Sequence, residues 1–279
     1  MQPYQDQYID VKGNRIRYWQ AGEQGEYLLL IHGLGAVLEY WQYVIPMLCQ
    51  HYRVIAIDLP GSGKSAKPDA RFDLQYYSTF LSDFLAAKGV EKLYVAGHSL
   101  GGGLALKFTT ERPDAVKKLF LINNAGFATQ VTYVFRLMSI SFIGKMMMNL
   151  TRDMYRKALE FSVYRPQSIT DDFLDVLYPI VSNPLHRRTM LQLLKDNVNL
   201  LGMKASTWRR VWKAAKQLDQ IPMFALWGAD DRLLNTRKHL PVGKKRFPHM
   251  RTEVFEACGH MPLIEYPEKT VERMREFFG

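Results

Sequence analysis

The chain predicts an α/β architecture, a mostly parallel sheet with helices on both faces, broken once by a helical insertion. Three observations carry this reading. Short apolar runs rich in Leu, Ile and Val recur between turn residues, stretches of helical length separate them, and the rhythm stops at Gly126 and resumes only at Pro222. Runs that are apolar throughout suit strands buried on both faces, and strands alternating with helices are the mark of βαβ winding.

In order, residues 8–11 and 16–19 flank Gly13-Asn14, a hairpin signal. Strands are expected at 27–31, 54–57, 93–96 and 119–122, with helices at 75–88 and 100–111 between them. For about ninety residues after Gly126 no strand-like run recurs, and helical patterns punctuated by Pro166, Pro179 and Pro184 take over. A strand at 223–227, a helix at 237–246, a strand at 252–255 and a last helix from Pro267 complete the pattern. Residues 1–126 and 218–279 thus read as one sheet domain, and 127–217 as an insertion into it.

With 279 residues, 47% hydrophobic and 23% charged, the chain has the composition of a folded globular protein large enough to bury a substantial core. Residues 1–8 are polar and lack the basic-then-apolar pattern of a signal peptide. The most lipophilic stretch, 131–150, is interrupted by Arg136 and Lys145, so no membrane span is expected. Cys49 and Cys258 provide neither a disulfide framework nor metal-ligand spacing, and the expected setting is the reducing cytoplasm. The net charge of +10 is concentrated in the insertion, where 14 Lys and Arg face six Asp and Glu. No nucleic-acid-binding motif accompanies that charge, which leaves a solvated basic face, attraction of acidic substrates or peripheral contact with an anionic membrane.

The chemistry begins at Gly97-His98-Ser99-Leu100-Gly101, between an apolar strand and a helix. A strand turning sharply into a helix there lifts the serine hydroxyl above the strand ends and near the positive end of the helix. A serine hydroxyl is a poor nucleophile until a base takes its proton. Of seven histidines, His260 follows the last expected strand and so lies on the same sheet edge as Ser99. An imidazole base needs a carboxylate to hold its tautomer, and Gly228-Ala229-Asp230-Asp231 offers two. The alternative position, after residue 122, carries Asn123 and Asn124 instead of an acid. Gly61-Ser62-Gly63-Lys64-Ser65 imitates the end of a phosphate-binding loop, but Asp58 stands where its first glycine belongs.

From about Tyr8 to the C-terminus the sequence resembles the α/β-hydrolase superfamily. The resemblance rests on His32-Gly33-Leu34-Gly35 with Trp41, on Asp58-Leu59-Pro60-Gly61-Ser62-Gly63 with Ser65, and on the Ser99 motif. It extends to Trp227-Gly228-Ala229-Asp230-Asp231 and to Gly259-His260-Met261-Pro262 with Glu265 and Pro267. It implies the order nucleophile Ser99, acid Asp231 (the fifth residue of its motif) and base His260. The backbone N–H groups of Leu34 and Leu100 would form the oxyanion hole, and residues 127–217 a helical cap. Ser99 argues against the epoxide hydrolases and haloalkane dehalogenases of this fold, whose nucleophile is an aspartate.

The insertion holds seven of the 13 methionines, including Met146-Met147-Met148, together with Phe135, Phe142 and Phe161. Flexible, polarisable side chains of this kind suit an adaptable apolar pocket. The expected lining is Met138, Phe142 and Met147 from the insertion with His32, Gly33, His98 and Met261 from the sheet domain, although His32 suits bracing its loop better than transferring protons. The preferred reading is hydrolysis of a small lipophilic ester through an acyl-enzyme, with no metal and no cofactor. Carbon–carbon bond hydrolysis of ring-cleavage diketones comes second, because Met261 stands where such enzymes often carry Trp. A ligand receptor on the same fold is the third.

Overall fold

The structure, a computed structural model, describes residues 4–279, so the reading of the first three residues lies outside the described residues. The chain opens with β1 (Gln7–Val11), β2 (Asn14–Ala21) and β3 (Tyr27–Ile31), then the single turn α1 (Ile45–Leu48). The β1–β2 turn falls on Lys12-Gly13, one residue earlier than expected. Both residues have positive φ, and the Asp10 carboxylate accepts the Gly13 N–H at 2.9 Å. Next come β4 (Arg53–Ile57), α2 (Leu74–Lys88), β5 (Leu93–His98), α3 (Leu100–Glu111) and β6 (Val116–Ile122).

After β6 the chain runs through six α-helices: α4 (Tyr133–Met138), α5 (Ser141–Met147), α6 (Arg152–Ser162), α7 (Asp171–Val181), α8 (Pro184–Asn197) and α9 (Ala205–Lys213). Against expectation, this stretch also holds a small antiparallel ribbon, β7 (Val198–Asn199) with β8 (Gly202–Met203). Two-residue strands leave no apolar run to read in a sequence. The sheet then resumes with β9 (Met223–Gly228), α10 (Thr236–Arg246), β10 (Arg251–Phe255), the single turn α11 (Pro262–Glu265) and α12 (Pro267–Phe278).

Among the described residues the main sheet has eight strands in the order β1-β2-β4-β3-β5-β6-β9-β10. β1 and β2 are antiparallel to their neighbours, and β4 through β10 run parallel. Apolar cores fill both faces. Leu81, Phe84, Leu104 and Phe108 are buried on one, and Trp41, Phe120, Phe173 and Phe277 on the other. Parallel winding brings the carboxyl ends of β3, β5, β6, β9 and β10 to one edge, where open α/β sheets hold their ligands. No helix of the described residues is long and apolar enough to cross a membrane.

Candidate active site

Ser99 follows β5 and caps α3 with φ 55° and ψ −121°, a conformation that costs a non-glycine residue on the order of 1–3 kcal/mol. Its surroundings hold it there. The Ser99 N–H donates to Ile122 O, while its carbonyl accepts from the N–H groups of Gly102, Gly103 and Ala125. The turn also needs its two glycines. A Cβ at Gly97 would sit 2.4 Å from the Gly101 carbonyl oxygen, and one at Gly101 would sit 2.2 Å from that of Ile31.

His260 and Asp231 come from the adjacent strand ends. His260 Nδ1 lies 2.7 Å from Asp231 Oδ2, and both side chains are buried. The Asp231 carboxylate also accepts from Asn123 Nδ2 at 2.7 Å and from the N–H groups of Leu233 and Leu234 at 2.8 and 2.9 Å. Burial pushes this carboxyl upward, but the His260 ring and these donors outweigh burial and hold it below its ordinary value. An ionised acceptor on Nδ1 leaves Nε2 free to take a proton. Asp230, the other carboxylate of the motif, has no such contact with His260. No hydrogen bond joins Ser99 Oγ to His260 among the described residues, a spacing such sites often close only around substrate.

In the sequence Asn123 offers no signal for the acid, because an amide cannot ionise. It serves the acid instead. Besides Asp231 it donates to Gly259 O at 3.3 Å and accepts the Gly228 N–H at 3.3 Å, which ties the ends of β6, β9 and β10 together. A polar residue closing an apolar strand was the only signal available.

The N–H groups of Leu34, in the loop after β3, and of Leu100, just past the turn after β5, donate to no protein acceptor among the described residues. Leu34 and Ser99 border one cavity, and Leu100 is the first residue of α3. These are suitable donors for an oxyanion. His32 braces this loop, as its sequence context suggested. Its Nε2 accepts the Leu59 N–H at 3.1 Å, Nδ1 donates to Gly33 O at 2.8 Å, and burial lowers its pKa. Beneath it the fully buried Arg17 pairs with Asp58 and Glu39 at 3.0 and 2.6 Å. Asp58, which broke the phosphate-loop pattern, also accepts the N–H groups of Leu38 and Lys64.

Above Ser99 lies a cavity of about 370 Å³ with mostly apolar walls. Of the expected lining, Gly33, His98, Met138, Met147 and Met261 are present, and Phe135, Met148, Phe161 and Met190 add to it. Two expectations fail. His32 lies below the wall, fully occupied by its loop. Phe142 turns away and is 78% exposed, because α5 presents Met147 to the cavity and Phe142 to the outside. A second cavity of about 50 Å³ reaches Ser99 from the side of Leu100, Met203 and Trp208.

The wall also holds two polar groups that the sequence did not single out. His186 of α8 accepts the Gly63 N–H on Nδ1 at 3.0 Å, and burial with nearby Lys67 holds its pKa down to about 4. Arg187 donates to Asn149 Oδ1 and Leu150 O at 3.0 and 2.9 Å, and pairs with no carboxylate among the described residues. His98 Nε2 donates to His260 O at 2.7 Å, and burial beside His260 holds its pKa down to about 3. Among the described residues no group of three or more His, Cys, Asp or Glu side chains is placed to hold a metal ion.

The family profile of the alpha/beta hydrolase fold matches residues 26–267. The chain belongs to the α/β-hydrolase fold family. This hydrolase is 28% identical over 276 residues to a 2-hydroxy-6-oxo-6-(2'-aminophenyl)hexa-2,4-dienoic acid hydrolase of Metapseudomonas resinovorans, covering 95% of this chain and 88% of that protein. It is 26% identical over 272 residues to Lipase 1 of Psychrobacter immobilis, covering 95% of this chain and 81% of the lipase. The crystal structure of a candidate lipase from Acinetobacter baumannii AYE superposes with a TM-score of 0.84 at 25% identity, covering 99% of this chain and 91% of that one.

Proposed function

We propose that this hydrolase cleaves a lipophilic carboxylic ester through an acyl-enzyme on Ser99, beneath a cap formed by residues 127–217. The observation that carries the reading is Ser99, at its strained turn, opening into an apolar cavity beside a His260 ring held by a buried Asp231. In this mechanism His260 Nε2 removes the hydroxyl proton as Ser99 Oγ bonds to the ester carbonyl carbon. The Leu34 and Leu100 N–H groups stabilise the oxyanion. His260 returns the proton to the alkoxide as the carbon–oxygen bond breaks, and water releases the acid by the same steps. The two cavities meeting at Ser99 suit an ester with one long and one short arm. Hydrolysis of nitrophenyl esters across acyl lengths tests the reading. Turnover should peak at a medium chain and vanish in Ser99→Ala. No turnover, or turnover untouched by the substitution, removes it.

Arg187 favours one second reading, carbon–carbon bond hydrolysis of a diketone that carries a carboxylate. A guanidinium that pairs with no acid among the described residues, set in an apolar wall, suits such an anion. If that reading holds, Arg187→Met raises KM for a ring-cleavage dienoate at least about tenfold and leaves neutral esters unchanged. Equal effects on both substrates sink it.

A further inference from the structure

Among the described residues, nothing covers the face of α4 and α5 opposite the cavity. Tyr133, Leu137, Ile140, Phe142 and Met146 stand exposed along it, and the neighbouring β7–β8 turn adds Leu201 at 86% exposure. Apolar side chains of this size, side by side on a monomer's surface, mark a place where something docks. The other side of the same two helices supplies Phe135, Met138, Met147 and Met148 to the cavity wall. The exposed face and the substrate pocket are therefore two sides of one thin layer.

Charge selects the occupant. Residues 127–150 contain Arg136 and Lys145 and no Asp or Glu, within a chain of net charge +10. The Arg136 guanidinium lies 5.0 Å from the Tyr133 ring centroid, so cation and aromatic present themselves together. A second copy of this chain would bring these cations against their own equivalents with no carboxylate between them. A lipid surface bearing negative headgroups over an apolar interior meets both features at once.

We propose that the α4–α5 face docks this protein on an anionic lipid bilayer, seating Phe142 and Met146 at the acyl boundary and Lys145 among the headgroups. The corollary that a lipophilic ester enters the cavity directly from the bilayer rests on the esterase reading. The docking does not.

Co-sedimentation with vesicles of phosphatidylcholine alone, and of phosphatidylcholine mixed with phosphatidylglycerol, tests the proposal on the full chain. Wild type should bind the mixed vesicles at least about tenfold more tightly than the neutral ones, and added salt should weaken binding. Phe142→Asp and, separately, Lys145→Glu should each lower that affinity several-fold. Neither residue lines the cavity, so hydrolysis of a short, soluble nitrophenyl ester should stay at its wild-type rate. Absence of wild-type binding to the mixed vesicles overturns the proposal. So does binding that both substitutions leave unchanged, or a solution dimer that Phe142→Asp dissociates. Vesicle binding without ester turnover would overturn the esterase reading and leave the docking intact.

Discussion

The floor and the roof of the cavity are built on opposite principles. In the floor, at the carboxyl edge of the sheet, polar groups are held from several sides. Asp231 has four donors, and the Ser99 carbonyl has three. The roof of α4 and α5 is apolar on both sides and is held mainly by packing, with Gly144 letting α5 close on Met138 and Leu191. The two are not joined equally around the rim. Behind His260 the staple is polar. Glu265 accepts the N–H groups of Gly259, Tyr164 and Arg165 at 2.8, 2.8 and 3.0 Å, and the His260 N–H donates to Ser162 O at 2.7 Å. Directional bonds therefore fix Ser99, Asp231 and His260, and non-directional contacts shape the cavity above them.

If that contrast holds, the largest single effect lies in the floor. Asp231→Asn should reduce kcat about 10⁴-fold with little change in folding, because an amide in place of the carboxylate cannot hold the His260 ring in the tautomer that leaves Nε2 a base. Steady-state kinetics on the ester preferred by wild type would measure it. A loss below about tenfold would mean that the buried pair does not act as a unit.

Breaking the staple comes next. Glu265→Ala leaves three N–H groups without their acceptor and should destabilise the fold by about 3 kcal/mol, read by urea denaturation. A negligible change would show the rim to be as loosely held as the roof.

Acid should act on the histidines around the floor before it reaches the roof. His98 and His186 are held at about 3 and about 4, below the ordinary 6.5, chiefly by burial. Between those values and 6.5 the unfolded chain binds protons that the folded one refuses. Their contribution is therefore complete above the ordinary value and is lost as pH falls through the window. Each should remove on the order of 2 kcal/mol of stability by about pH 5, and thermal melts from pH 7 downward would register it. A flat melting temperature over that range contradicts their burial as neutral rings.

The smallest effect is expected on the outer side of the roof. Phe142→Ala should change stability by less than about 0.5 kcal/mol, whereas Met138→Ala, at a 5% exposed position, should cost about 2–5 kcal/mol. Similar values for the two would mean that the layer is not two-faced.

The fold was legible in the sequence because a parallel sheet writes itself in continuous apolar runs, and each expected strand of the main sheet is present to within a few residues. Ser99 and His260 were legible because each follows its own strand, whereas the strand ending at Gly228 offered Asp230 and Asp231 alike and only the resemblance to the α/β-hydrolases singled out Asp231. Asn123, Arg187 and His186 were not legible. Asn123 meets Asp231 because β6 and β9 are neighbours in the sheet, although about a hundred residues separate them in the chain. His186 reaches Gly63 through the packing of α8 over the loop after β4, which no spacing encodes. Phe142 faces outward, which a count of apolar residues on short helices cannot reveal.

By itself the sequence determined which residues follow the strands, the sharp strand-to-helix turn at Ser99 and the basic, methionine-rich character of the insertion. Each depends on backbone preference or composition within a few consecutive residues. Only the tertiary structure decided which of those methionines line the cavity, which aromatic rings face outward, and which amide, arginine and histidine join the site. Those are contacts between segments far apart in the chain, and they exist only once the packing of the whole has chosen among many surfaces of similar apolarity.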